Sequence, residues 1–432
     1  MMPPQSPFET AFALHVAGSL TEAEAAYRLI LAKEPHHAQA MHYLGVALHQ
    51  SGNSPEGVSL ILKALALEPG QASRYNDFGN ILCAQGDYAN AASVFRIALD
   101  IEPRDANVWN NYGSVLQREQ QHEAAETAYR KALDIAPDFA AALNNLAMLL
   151  SEQGRDEEAS LQACRAFIQP PLDGKHPKML GIAYYRLNLL SQAADCYREW
   201  LRLEPGNPVA RHHLAACTQE AVPARAPDDF VKTVFDDMAA EFDHRLTGKL
   251  EYRGPEIIAG LLQALPAPSG TLDVLDGGCG TGLCGPMLAP YARHLAGVDL
   301  SPGMVAKAEA RNLYNTLTVA ELTAYLQQHP QAFDLVALAD TLIYFGDLSD
   351  ILAASAGSLR AGGHLAFTVE STQENHSFEL GPSGRYRHRC DYLAQVLASS
   401  GFALLEMQEV VLRREFCQPT SGFGVLARRA LS

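Results

Sequence analysis

Six prolines, Pro35, Pro69, Pro103, Pro137, Pro171 and Pro205, stand 34 residues apart. Other positions keep step with them. Gly45, Gly79, Gly113, Ala147, Gly181 and Ala215 form one column of small residues, and Ala23, Gly57, Ala91, Ala125, Ala159 and Ala193 a second. Tyr27, Ile61, Phe95, Tyr129 and Tyr197 form a bulky column. Small residues mark close approaches between helices, and the bulky column fills the gaps between neighbours. A unit of this length is one helix pair that cannot bury its apolar face alone, so successive units must stack around a continuous core. The period predicts six helix pairs from about residue 4 to 207 and a closing helix near 208–219. It loosens late: "QPPLDGKHP" replaces a tight turn, Pro177 falls where a first helix begins, and Ala163 and Trp200 break columns. A kink or a lengthened loop is expected there.

This half resembles the tetratricopeptide-repeat family. The resemblance implies an all-α solenoid over residues 1–219 whose concave groove binds a protein or peptide. Asp77, Asn111 and Asn145, in "YNDFG", "WNNYG" and "LNNLA", recur one per repeat on successive first helices. Asn carries both a donor and an acceptor, and the pattern is similar to the Asn ladder of O-linked N-acetylglucosamine transferase arrays, where amides hold a peptide backbone. For these three residues, peptide binding and bridging between neighbouring helices both remain open. Tyr43 and Met179 occupy the flanking positions and keep the ladder short. The pairs His36–His37 and His212–His213 are read as packing or solvated side chains, and no metal is expected.

Composition narrows the partners. Asp and Glu total 49 against 33 Lys and Arg, a formal charge of -16. Phosphate contacts are made by basic side chains, so this charge argues against a dedicated nucleic-acid binder, and no nucleic-acid partner is expected. No apolar run is long enough to cross a bilayer, and the first residues make a poor signal peptide. The eight cysteines (Cys83, Cys164, Cys196, Cys217, Cys279, Cys284, Cys390 and Cys417) form no CxxC and are read as reduced thiols in a cytoplasmic protein.

"TQEAVPARAPDDF", with two prolines and no apolar period, is read as a linker over 220–230. Beyond it, 231–432 alternates short β runs near 271–276, 294–299, 316–320, 333–339 and 362–370 with helices near 283–291, 302–312, 321–329, 347–359 and 387–400. That alternation predicts a parallel sheet covered on both faces. Two last strands, near 402–413 and 422–429, have no helix between them and predict an antiparallel hairpin.

The stretch "TLDVLDGGCGTGLCGPML" runs from a strand through a glycine loop toward a helix, so backbone amides face a ligand. Two registers fit. Gly280-Thr281-Gly282-Leu283-Cys284-Gly285 is a GxGxxG dinucleotide fingerprint, with Asp299 available as its ribose acid. Asp276-Gly277-Gly278-Cys279-Gly280-Thr281-Gly282 instead places an acid at the strand end. The second register, "GVDLSPGMVAKAEAR", "FDLVALADTLIYFGDL" and the upstream "VFDDMAAEFDHRLTGKLEYRGPEII" resemble class I S-adenosylmethionine-dependent methyltransferases. The resemblance covers about 231–432 and implies a Rossmann-like α/β domain with S-adenosyl-L-methionine as cofactor. It implies that Asp276 lies near the ligand ammonium, that Gly278, Cys279, Gly280 and Gly282 form the cradle, and that Asp299 holds the ribose hydroxyls. Leu300 and Met304 are expected to sandwich the adenine, with Glu321 and the adjacent Leu322 near its amino group. Tyr252 and Arg253 are expected near the carboxylate, with Arg253 equally readable as a surface residue. Asp340 points toward methyl donor or acceptor. If a base is required, Asp340, Tyr344, His376 and His388 are the candidates near the strand ends; the sequence singles out none. "SGRYRHRCDYL" is dense in Arg and aromatic residues and is a candidate grip for an anionic or peptide acceptor.

The combination resembles predicted bacterial methyltransferases with tetratricopeptide repeats. The reading is a methyltransferase whose solenoid recruits a polypeptide, either substrate or scaffold. Its alternatives are a small-molecule methyltransferase that uses the solenoid for oligomerisation or docking, and a non-catalytic adaptor that binds S-adenosylmethionine. The methyl acceptor is left open.

Overall fold

The structure is a computed structural model that describes residues 6–238, 242–244, 251–374, 376–415 and 418–431. The described chain parts into two compact units, 1–169 and 170–432.

The first unit is all helix. Helix pairs Pro7–Val16 with Leu20–Lys33, Ala38–Gln50 with Ser54–Leu67, Ala72–Ala84 with Tyr88–Ile101, Ala106–Arg118 with His122–Ile135, and Ala140–Glu152 with Asp156–Phe167 repeat at the proline period. The columns are explained by packing. A Cβ on Gly79 would lie 2.6 Å from the Phe95 ring, and one on Gly113 would lie 2.8 Å from the Tyr129 ring. The small column therefore exists to admit the bulky column of its own unit's second helix. Phe95, Tyr129 and Ile61 are fully buried by that fit. The ladder residues are spent between repeats. Asn111 Nδ2 donates to Asn76 Oδ1 and Asn145 Nδ2 to Asn110 Oδ1, both at 2.9 Å, and His42 Nε2 bonds Asp77 Oδ2 at 2.9 Å. Each of the three thus bridges to the preceding first helix.

The second unit opens with the expected irregularity. The helix Asp156–Phe167 is followed by a connection that reaches Pro177, and the Pro170–Pro171 peptide is cis. Pro177 starts its helix, where the missing N–H is no loss. Helices Pro177–Arg186, Leu190–Leu203 and Pro208–Thr218 belong to the same compact unit as the sheet.

That sheet has nine strands among the described residues: β1 Leu272–Gly277, β2 Ala292–Asp299, β3 Thr316–Val319, β4 Phe333–Leu338, β5 Leu359–Ser371, β6 Phe378–Leu380, β7 Tyr386–His388, β8 Phe402–Glu415 and β9 Gln418–Arg429. Their order is β3-β2-β1-β4-β5-β7-β6, with β9 antiparallel to β5 and β8 antiparallel to β9. β1 through β5 are parallel. This is the expected α/β sheet with a closing antiparallel hairpin. In the middle of β1 and β4 adjacent residues are buried on both faces: Leu275, Val336 and Leu338 in one core, Val274, Leu335 and Ala337 in the other. Two details differ from expectation. The helix expected near 283–291 is a short α segment, Gly285–Leu288, followed by a 3₁₀ turn, Ala289–Tyr291. The β6–β7 hairpin lies where the sequence, "FELGPSGRYRH", shows no clean alternation long enough to mark strands.

Candidate functional site

The carboxyl ends of β2, β1, β4 and β5 line up in that order along the sheet, and an acid stands at each. Asp276, at the end of β1, is 2 % exposed and accepts a 2.6 Å hydrogen bond from the Tyr314 hydroxyl. Burial pushes its carboxyl up to about 7, against the lowering effect of Tyr314. The loop then folds back over β2, as Gly278 and Cys279 N–H donate to Val298 O at 2.7 and 3.0 Å. Gly278 requires its lack of a side chain twice over: its φ is +71°, and a Cβ would lie 2.4 Å from Thr341 Oγ1. Asp299 is gripped by backbone, its Oδ2 accepting from Gly280 N–H at 2.9 Å and its Oδ1 from Ser301 N–H at 2.8 Å. Burial raises its pKa while these bonds lower it.

These groups face a cavity of about 250 Å³. Helix Asp228–Met238 and the turn Phe242–His244 lie over it. The Phe235 ring stands 5.8 Å from Phe242 and 5.5 Å from Tyr344. Polar latches fasten this cover: Ser301 Oγ to Asp236 Oδ1, Thr281 Oγ1 to Asp243 Oδ1 and Arg311 Nη2 to Asp243 Oδ2, each at 2.5 Å. The proline-rich segment read as a linker is laid against residues 344–347. Ala226 N–H donates to Tyr344 O, and the Gly346 and Asp347 N–H groups donate to Ala224 O, at 2.8 to 2.9 Å. Arg225 ion-pairs with Asp228 at 2.9 Å and Glu321 at 3.3 Å and lines the cavity.

Beyond β4 the cavity wall is charged. Asp340 has a left-handed backbone, φ +53°, tolerated by Asp better than by most residues, and its N–H donates to Thr368 Oγ1 at 2.8 Å. Its carboxylate faces Arg413 Nη1 at 3.1 Å. Arg413 is 1 % exposed and also serves Glu370 and, at 2.9 Å, Glu415. Arg385 pairs with Glu415 and lines the cavity. Burial raises the Asp340 pKa and Arg413 lowers it. Glu415 also has Arg385 and Glu370 also has Arg387 at 3.5 Å, which leaves Asp340 the least compensated of the three.

The structure brings Asp276, Gly278, Cys279, Gly280, Asp299, Leu300, Glu321, Leu322, Asp340, Tyr344 and Tyr252 to one cavity. Glu321 also caps helix Leu322–Gln328, accepting from Thr323 and Ala324 N–H at 3.0 and 2.8 Å. Other expected residues lie elsewhere. Met304 is fully buried in its helix and Gly282, at φ +84°, shapes the turn behind the cavity; neither is among the lining residues. Arg253 is exposed and fixes the backbone instead, its N–H donating to Leu412 O at 2.9 Å. His376 is exposed and away from the cavity. His388 is a core residue: its Nε2 bonds Gly346 O at 3.0 Å, and burial pushes its pKa down to about 4. Part of the expected cover segment, and Cys417, lie outside the described residues. Tyr314, Thr341, Phe235, Arg385 and Arg413 are not singled out as site residues by the sequence: Thr341 and Phe235 lie inside segments whose resemblance does not name them, and Tyr314 and Arg413 arrive from segments without a motif. The polar-aromatic density of "SGRYRHRCDYL" was the one signal for Arg385.

With sheet order and loop in place, the profile of a methyltransferase domain family matches residues 275–367, and profiles of tetratricopeptide repeats match 13–72 and 104–167. The chain carries tetratricopeptide repeats and a methyltransferase domain. Human methyltransferase-like protein 27 is 38% identical over 111 residues, which cover 25% of this chain and 45% of the human protein. Ubiquinone biosynthesis O-methyltransferase of Xylella fastidiosa is 28% identical over 153 residues, 32% of this chain and 62% of that enzyme. The chain thus spans about half the length of the curated relatives it matches. A solved SAM-dependent methyltransferase from Methanosarcina mazei aligns at 18% identity over 38% of this chain and 95% of that one, with a TM-score of 0.33. The matched residues of the methyltransferase domain include Asp276, the glycine loop, Asp299 and Asp340. Among the described residues no helix is long and apolar enough to cross a membrane, and no metal-holding cluster of His, Cys, Asp and Glu is found.

Proposed function

We propose that the chain is an S-adenosyl-L-methionine-dependent methyltransferase whose repeat array recruits a protein or peptide, either the methyl acceptor or a scaffold that presents it. The observation that carries the cofactor reading is the set of three cavity-facing carboxylates, Asp276, Asp299 and Asp340, around the glycine loop. A dinucleotide needs the loop to receive a pyrophosphate, which calls for a helix N-terminus and positive charge. Here the helix after the loop, Gly285–Leu288, is four residues long, and acids surround the bend. That field repels a pyrophosphate and favours a ligand with ammonium and sulfonium charges. Gly280 suits the same ligand, since a Cβ there would meet nothing closer than Phe242 at 3.9 Å and the backbone stays open to close approach.

When bound, S-adenosylmethionine supplies an electrophilic methyl group on a sulfonium. The protein's part is chiefly to bind and orient. Asp299, its oxygens pre-aligned by two N–H groups, accepts from the ribose hydroxyls. Asp276 faces the ammonium. Phe235, Phe242 and the latches of the cover exclude water. Asp340 stands across the cavity from these groups and accepts a proton or hydrogen bond from the acceptor's nucleophilic atom, with Tyr344 beside it. Holding acceptor and donor in line supplies a large part of the acceleration in such a transfer.

The recruitment half of the proposal rests on the repeats themselves, which in general mediate protein–protein contacts. The test is to incubate the full chain and a clarified lysate with methyl-labelled S-adenosylmethionine. Label in protein bands supports it. Label confined to small molecules refutes recruitment of a protein substrate, and no transfer with any acceptor fraction refutes the enzyme.

A further inference from the structure

We infer that the last repeat helix, Pro208–Thr218, is a positioning element for the acceptor end of the cavity. It acts through the β6–β7 hairpin, and His212 and Gln219 hold Arg385 in place. The inference rests on reading this cavity as a methyl-transfer site, but its test measures the cavity wall directly.

The hairpin is the part of the sheet nearest that end. β7 pairs with the end of β5 at Glu370 and Ser371, and the turn between β6 and β7 carries Arg385 into the cavity. There Arg385 meets Glu415 and the Tyr344 side chain, opposite Asp340. The turn is a Gly381–Arg385 bend, closed by a 2.8 Å bond from Gly381 N–H to Arg385 O. A bend of this kind on a three-residue hairpin has little core of its own to fix it.

What fixes it comes from the repeat helix and the segment after it. His212 Nε2 bonds Gly384 O at 2.9 Å, and the ring is 3 % exposed, its centroid 4.0 Å from that of Phe230 at an interplanar angle of 31°. A neutral His donates from Nε2 in this arrangement. Gln219 Nε2 donates to Leu380 O at 2.8 Å, and the Tyr386 hydroxyl donates to Pro223 O at 2.7 Å. The fit at Gly384 is steric as well: at φ +80°, a Cβ would lie 3.2 Å from His213 Cε1 and 3.3 Å from His212 Cδ2. Both strands and the turn of the hairpin are therefore tied to 208–223, and Arg385 is one residue beyond the tied carbonyl.

A helix that serves only to cap the repeats has no need to bond a loop of the sheet domain from a buried imidazole packed on Phe230. Losing such a bond leaves the Gly384 carbonyl free to turn and takes Arg385 with it. Asp340 and the cofactor carboxylates, held by β4, β1 and β2, are untouched.

The test places a 3-fluorotyrosine at residue 344 of the full chain and records its fluorine resonance in four backgrounds. Arg385→Met defines the signal when the guanidinium is gone. His212→Phe keeps ring packing on Phe230 and loses the bond, and Gly384→Ala pushes the turn off the imidazoles. Leu262→Ala, in the core on the other face of the sheet, controls for lost stability alone. The expected result is that His212→Phe and Gly384→Ala move the signal toward its Arg385→Met position, and Leu262→Ala leaves it in place. S-adenosylmethionine affinity, measured in parallel, stays within twofold in His212→Phe. The inference is overturned if Arg385→Met moves the signal and neither His212→Phe nor Gly384→Ala does, or if Arg385→Met itself leaves it in place. Failure of the wild-type chain to bind S-adenosylmethionine would refute the cofactor reading and leave this result standing.

Discussion

Asp276 makes the cofactor reading testable by pH. Its carboxyl is buried and held up at about 7, with the Tyr314 hydroxyl 2.6 Å from Oδ2 as its stabilising partner. A group with that pKa is about one-tenth ionised at pH 6 and about three-quarters ionised at pH 7.5, and apparent affinity scales with the competent fraction. S-adenosylmethionine affinity is therefore expected to rise about eightfold over that interval. Tyr314→Phe removes a hydrogen bond to a charged group, worth about 1.5–3 kcal/mol, or about one to two pKa units at 1.36 kcal/mol each. The variant is expected to bind about five- to fiftyfold more weakly at pH 7 and to close the gap as pH rises. Taking the ratio of the two proteins at each pH, by calorimetric titration, cancels ionisation of the ligand. The sign for stability is opposite. A carboxyl whose folded pKa is raised contributes stability below its unfolded value near 4, and loses it as pH climbs through about 7. Ligand binding offsets that loss, so the melting-temperature gain on ligand addition should grow with pH. An affinity flat from pH 6 to 7.5, or a Tyr314→Phe deficit that persists unchanged at alkaline pH, would refute the reasoning.

Asp299→Ala removes a carboxylate aligned by two N–H groups and should weaken S-adenosylmethionine binding by about 1.5–3 kcal/mol by calorimetry; equal affinity would remove Asp299 from the cofactor site. Arg413→Met removes the shortest partner of Glu370, 2 % exposed, and leaves it only the longer contacts to Arg387 at 3.5 Å and Arg385 at 3.9 Å. It should cost about 3–5 kcal/mol in chemical denaturation, and Arg413→Met with Glu370→Leu should recover part of that; no recovery would mean the pair is not coupled. Asn145→Ala leaves the amide oxygen of buried Asn110 without its partner and should lower stability by about 1–3 kcal/mol, measured by denaturant unfolding. An unchanged midpoint would mean the bridge is not maintained in solution. Gly79→Val should be destabilising by about 1–3 kcal/mol through overpacking on Phe95, and Phe95→Leu in the same chain should relieve it; a plain sum of the two costs would contradict the column argument.

Much of this architecture is legible from periods and spacing. A 34-residue repeat can be satisfied only by stacked helix pairs, so Gly79 and Phe95 announce each other across a fixed interval. The strand-loop-acid pattern from Asp276 to Asp299 likewise has local causes: a strand end, a bend, a second strand end. What escaped are contacts made at a distance. Tyr314 lies in a connection before β3 and shows no pattern, yet its hydroxyl is what the Asp276 carboxylate needs once buried. The Arg413 cluster joins Asp340 beyond β4, Glu370 of β5, Arg385 of the turn before β7 and Glu415 of β8, and no spacing encodes which guanidinium reaches which acid. His388 reads as a candidate base by its position near a strand end, but burial and the Gly346 carbonyl make it a core imidazole. The segment around Arg225 has the composition of a free linker, and gains structure only because residues 344–347 present unpaired backbone groups to it. The ladder of Asn111 and Asn145 was visible as a column, and its bonds to the preceding helices follow from the repeat bringing successive amides to hydrogen-bond distance.

The most direct measurement is equilibrium dialysis of the full chain against labelled S-adenosylmethionine at pH 7.5, with competition by S-adenosylhomocysteine and by NAD. The account predicts saturable binding at one site per chain, displaced by S-adenosylhomocysteine and indifferent to NAD. Displacement by NAD, or no saturable binding at millimolar ligand, would contradict it.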